Sequence, residues 1–149
     1  MNLVEQIVNA MTSEVQTALG IEYAELEYLY EVEKNAFTNN SKRFGIAIKS
    51  ASSSITPTRA YTLDHEFEVV VTDNYFNKED SDLDQREKII SLYSKIDDVT
   101  KRIYARKAGI PAVVFFVTLS SISEPEFIND DNIAVLRAVY IIKYRNNID

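Results

Sequence analysis

The sequence predicts an α+β fold, an antiparallel-rich sheet with helices packed on it, in the order α-β-β-β-α-β-β. Three observations predict it. Apolar side chains recur every fourth residue from Leu3 to Leu19, alternate from Tyr61 to Val71, and return at spacings of three and four from Ile89 to Ile103. The first and last patterns draw a stripe along a helix; the middle one lays one face of a strand on a core.

Taken in order, the first helix carries Leu3, Ile7, Met11, Val15 and Leu19, with Ala10 and Ala18 beside them, and Gly20 ends it. Residues 25 to 33, "ELEYLYEVE", fit a helix or a strand. A strand is preferred, because a helix would set Glu27 and Glu31 four apart with like charge, whereas a strand turns Leu26, Tyr28, Tyr30 and Val32 inward. The next run, "RFGIAIK", alternates Phe44, Ile46 and Ile48 against charged or small neighbours. An antiparallel hairpin whose paired numbers sum to 76 then matches Glu27 with Lys49, Glu33 with Arg43 and Val32 with Phe44.

The stretch "KSASSSITPTRA", residues 49 to 60, offers little to a core and is expected to be a long polar loop between two strands. It is read as a mobile loop or, given its length, as a docking element. In the strand that follows, Tyr61, Leu63, His65, Phe67, Val69 and Val71 share one face, with Thr62, Asp64, Glu66 and Glu68 on the other. Ser81 and Asp84 have the form of a capping box for the second helix. Its apolar stripe is Ile89, Leu92, Ile96, Val99 and Ile103. Acids gather at its start and bases at its end, and Gly109 and Pro111 stop it. The run "AVVFFVTLS" is apolar on both faces and reads as a central strand; "SISEPEFINDD" reads as a surface loop and "IAVLRAVYIIKYR" as the last strand. The long apolar strands at 61–72 and 133–144 show so little polar surface that a covering partner is expected for one of them.

A chain of 149 residues, 46% of them hydrophobic and 26% charged, fits one folded domain over residues 1–149. It has no cysteine, so disulfides and thiolate metal sites are excluded. No basic region followed by an apolar run opens the sequence, and "PAVVFFV" is too short to span a bilayer, so a soluble, non-secreted protein with no membrane partner is expected. The net charge of −7 repels phosphate and disfavours direct binding to DNA or RNA; seven glutamates against Lys34 within residues 1–36 supply most of it.

Catalytic chemistry finds no motif. His65 is the one histidine, and its neighbours Asp64 and Glu66 point to the opposite face of a strand, so it is read as structural. Asp80, Asp82 and Asp84 begin like a calcium loop, but Gln85 stands where glycine is needed and Ser91 where glutamate is needed. No catalytic residue, cofactor site or metal site is therefore assigned, and no enzymatic activity is expected. The row Glu25, Glu27, Glu31 and Glu33 is read either as the wet face of a sheet or as an acidic wall facing something that must not adhere.

The N-terminal helix, three strands with a long loop before the third, the acidic helix start "DSDLDQRE" and the closing "AVYIIKYR" resemble the tail terminator proteins of long-tailed bacteriophages. The strand "LDHEFEVVV" looks like that family's acid-rich third strand. One departure is the short "KAGIP" between the second helix and the fourth strand. The resemblance covers nearly the whole chain in topology and length and implies a single tail-terminator-like domain. It also implies a structural virion assembly protein, found at the tail-head junction and assembled in the host cytoplasm. Such a protein forms a homo-oligomeric ring, typically a hexamer, that caps the tail tube, ends its polymerisation and joins tail to head. Its partners would be copies of itself, the tail tube protein and a head-completion or neck protein, with DNA passing through the ring without specific binding.

On that reading, Ser50, Ser52, Ser53, Ser54, Ile55, Thr56, Pro57, Thr58 and Arg59 form the loop that touches the tube or neighbouring subunits. The acidic lumen is placed on Glu25, Glu27, Glu31 and Glu33 by this residue reading alone, not by the resemblance. The alternatives are another neck or head-completion component, or a small α+β ligand-binding module or enzyme, which would need a pocket where His65 and carboxylates converge.

Overall fold

The computed structural model describes residues 2–26, 42–55, 60–74, 82–110, 114–128 and 133–147. Helix α1 spans Leu3–Leu19 and α2 spans Asp82–Arg106, followed by a 3-10 turn at Lys107–Gly109. The strands are β1 (Ala24–Glu25), β2 (Arg43–Ile55), β3 (Ala60–Asn74), β4 (Val114–Ile122), β5 (Glu126–Ile128) and β6 (Ile133–Asn147). They form one mostly antiparallel sheet in the order β1-β2-β3-β6-β4, with β5 also paired to β6. The class is α+β.

Local chemistry sets three of the four helix ends; the expected cap Ser81 of α2 lies outside the described residues. The Asn2 side chain accepts the Glu5 N–H at 2.8 Å, as an N-cap does. Gly20 closes α1 at φ 99°, a left-handed value that suits glycine, and its N–H donates to the Gln16 carbonyl at 2.9 Å. The Gln16 amide then donates to the carbonyls of Gly20 and Tyr23, which ties the turn to β1. At the end of α2, Ala108 has φ 56° and Gly109 φ 80°. A side chain at Gly109 would meet the Cβ of Ala10 at 3.1 Å, so glycine also lets this turn lie against α1.

The core lies between the helices and one face of the sheet. Ile7, Met11, Val15 and Leu19 of α1 and Leu92, Ile96, Val99 and Ile103 of α2 pack on Phe67, Val69 and Val71 of β3 and on Leu136, Ala138, Tyr140, Ile142 and Tyr144 of β6. Both helical stripes and the inward face of β3 are those the periodicity predicts. The strands β3 and β6 are central neighbours, which accounts for their length and apolar character: each has a strand on both sides and helices on one face. On the other face, Leu26, Val70, Ile133 and Val135 are buried together with Ile128 against them.

Four expectations are corrected. First, the antiparallel hairpin summing to 76 does not form at Phe44. That residue has Glu25 beside it in parallel on one side and Val71 on the other, so both of its edges are occupied. The alternating pattern of 25 to 33 carried no information on strand direction. Second, the polar stretch 49 to 60 is largely not a loop. Residues through Ile55 continue β2, pairing Ala51 with His65 and Ile55 with Tyr61 after a register shift between Ile48 and Ala51. Its serines lie exposed at Ser50, Ser52 and Ser53, so the strand is held by backbone bonds and needs no apolar side chains there. Third, β4 is an edge strand, not a central one. Fourth, the segment read as a surface loop contains β5, which pairs Phe127 with Ala134.

Candidate functional site

Two surfaces stand out. The first is an arm. Beyond the register shift, β2 and β3 run on together and β6 runs with them, pairing Thr62 with Arg145 and Ala60 with Asn147. The predicted contact residues Ser50, Ser52, Ser53, Ser54 and Ile55 therefore lie on a three-stranded arm, while Thr56, Pro57, Thr58 and Arg59 lie outside the described residues. Ser50, Ala51 and Ser52 line a shallow hollow with Asp64, Glu66 and Ile141 on the face away from the helices.

His65 sits where the arm begins. Its Nδ1 is 3.1 Å from the Tyr144 hydroxyl and its Nε2 is 3.2 Å from the Lys49 carbonyl, within the two-residue bulge of β2. The pair is satisfied by a neutral ring that donates from Nε2 to the carbonyl and accepts the phenol hydrogen at Nδ1. Phe67 packs against the ring, with centroids 4.5 Å apart. Burial pushes the His65 pKa below its usual value, and the Lys49 carbonyl partly opposes that shift. The Lys49 carbonyl, which lies in the bulge, is thus satisfied by a side chain. Asp64 faces Lys143 across the sheet, so His65 and its flanking acids do not converge.

The second surface is the β4 edge, which sequence reasoning missed. Its outer side has no strand partner among the described residues. Phe116 is 66% exposed and Phe115 43%, and Ile122 at the other end of the strand is also exposed. No charged residue interrupts Val114–Ile122. Natural edge strands are usually blunted by charge, by proline or by bulges. Here register shifts after Val114 and Leu119 supply the bulges, and the Tyr104 hydroxyl of α2 accepts the Leu119 N–H at 2.6 Å. Pro111, just ahead of the run, was the available signal, because proline belongs at sheet edges and strand starts.

The acidic row is divided. Glu25 is exposed on β1 beside Phe44, and Glu27, Glu31 and Glu33 lie outside the described residues. Glu25 and the arm serines are not brought together. They sit towards opposite ends of β2, about 25 Å apart at about 3.3 Å per residue.

Elsewhere the charges are structural. Glu14 of α1 is buried and accepts from Arg102 of α2 at 2.6 Å, with Arg106 at 3.7 Å. On the sheet face away from the helices, Arg137 bridges Glu68 at 3.0 Å and Glu126 at 3.2 Å. Among the described residues no three His, Cys, Asp or Glu side chains are grouped to hold a metal, and no helix is long and apolar enough to cross a membrane. No family model matches the chain, and no curated protein matches it.

Proposed function

We propose that this chain is a virion assembly protein of the tail-terminator kind, which forms a ring on the end of a tail tube, stops its growth and joins tail to head. The observation that carries the reading is the β4 edge: an uncharged strand with no outer strand partner among the described residues and two exposed phenylalanines is a surface for another polypeptide. The α+β element order, shared with the family it resembles, and the projecting arm support the same reading. In a ring, the arm reaches a neighbouring subunit or the tube, and the duplex passes a surface that repels it, as the net charge of −7 and the exposed Glu25 favour.

The test is to add the purified chain to polymerising tail tube protein. Elongation is expected to stop at the length reached on addition, with the chain at one end of each tube in electron micrographs. Tubes that grow undiminished, with no chain bound, contradict the proposal.

A further inference from the structure

We propose that Tyr104 of α2 is an autoinhibitory clasp on the β4 edge: its hydroxyl holds the Leu119 N–H that a strand added from another polypeptide would need, so the edge stays closed until the Tyr104 side chain swings off it. The inference rests on the reading above, that β4 is a surface for another polypeptide, and adds what controls access to it.

Strand geometry says which backbone groups are at stake. Between its two register shifts β4 pairs Phe116, Val117, Thr118 and Leu119 with β6. Along an antiparallel strand, alternate residues turn their backbone bonds towards the partner and away from it. The Leu119 N–H goes to Tyr104 and not to β6, so Leu119 and, two residues earlier, Val117 are the positions that turn outward. One of the two outward donors in the regular part of the edge is therefore already taken. The hydroxyl oxygen, 2.6 Å from the Leu119 nitrogen, stands where the carbonyl oxygen of an added strand would stand, at about 2.9 Å from the same nitrogen. The two cannot be there at once.

Helix α2 is placed to do this. Tyr93 and Tyr104 are about three turns apart and leave the helix on the same side. Tyr104 reaches Leu119, and the Tyr93 hydroxyl donates to the Ser123 carbonyl, just past the end of β4, at a longer 3.4 Å. The Ser123 N–H donates to the Arg137 carbonyl at 2.8 Å, so there the chain is already fixed to β6 and Tyr93 only adds to it. The clasp is thus at Tyr104. Its side chain is 46% exposed and can turn into solvent. No charge in Val114–Ile122 repels an incoming strand, which leaves Tyr104 and the bulges to hold the edge shut.

Tyr104→Phe tests this, because it keeps the ring and removes the hydroxyl. In dilute protein the Leu119 amide is expected to exchange about fivefold faster, the factor that one net hydrogen bond supplies, with unchanged circular dichroism. Protection over residues 114–122 should then appear at about fivefold lower protein concentration than in the natural chain. Tyr140→Phe, which removes a buried hydroxyl from the core, should leave that concentration unchanged. An unchanged Leu119 exchange rate, or faster exchange with association at the same concentration as the natural chain, overturns the clasp and leaves β4 standing as a binding surface. Association shifted equally by Tyr140→Phe overturns it as well, since general loosening would then be the cause. If neither protein gains protection at 114–122 at any concentration, the clasp falls together with the reading of β4 on which it rests.

Discussion

Strands β3 and β4 are both rich in apolar residues, yet one lies at the centre of the sheet and the other at its rim. β3 alternates, and the structure uses that alternation: His65, Phe67, Val69 and Val71 are buried against the helices while Asp64 and Glu66 face away. β4 does not alternate, and only Val114 in it is buried. A continuous apolar run means that both faces meet something other than water, but it does not say whether that something is the same chain. In β3 the partner is internal. In β4, on the proposed reading, it is another polypeptide.

The sharpest way to break this comparison is to truncate one phenylalanine in each strand. Phe67→Ala, in the core, is expected to cost about 3 to 5 kcal/mol of folding stability, measured by denaturant unfolding of the isolated chain. Phe116→Ala on the rim should shift it by under about 0.5 kcal/mol, while weakening self-association. Equal losses at the two sites would mean that β4 belongs to the core after all.

A second, smaller effect concerns polar groups under the sheet centre. The Tyr140 hydroxyl lies 2.7 Å from that of Thr100, and burial pushes its pKa up to about 12. Tyr140→Phe is expected to cost about 1 kcal/mol. In a spectrophotometric titration it should also remove a phenol that ionises near pH 12, above the ordinary tyrosine value of 10.0.

The weakest effect is a pH dependence at the base of the arm. The folded His65 is held below the ordinary value of 6.5, so as pH falls through 6.5 the unfolded chain binds a proton that the folded chain still excludes. Stability is therefore full above that pH and declines as pH drops towards the lowered folded value. His65→Gln should flatten this part of the profile, read as the difference between the two unfolding curves against pH. An unchanged slope would mean that the ring does not stay neutral in its place between Tyr144 and Lys49.

The same contrast explains what the sequence made legible. Helix stripes and the inward face of β3 were readable because period and burial coincide: Ile96 or Phe67 repeats where a single side faces the core. The direction of β1 was not, since alternation at Glu25 and Leu26 is the same whether the neighbour runs parallel or antiparallel. The arm was not readable either. Ala51 to Ser53 are paired with β3 through the backbone, and that pairing leaves no mark on side-chain composition. β4 misled for a related reason, since Phe115 and Phe116 look like core residues in a list of amino acids and differ only in what stands beside them. Of the candidate site residues, Ser50 and Ser52 to Ile55 were read as loop and lie in β2.

Whether another copy covers the β4 edge decides the proposed function. Amide hydrogen exchange followed as a function of protein concentration measures this most directly. Protection is expected to rise with concentration over residues 114–122, while β3 and β6 stay protected throughout. Exchange at 114–122 that remains fast in the assembled state would contradict it.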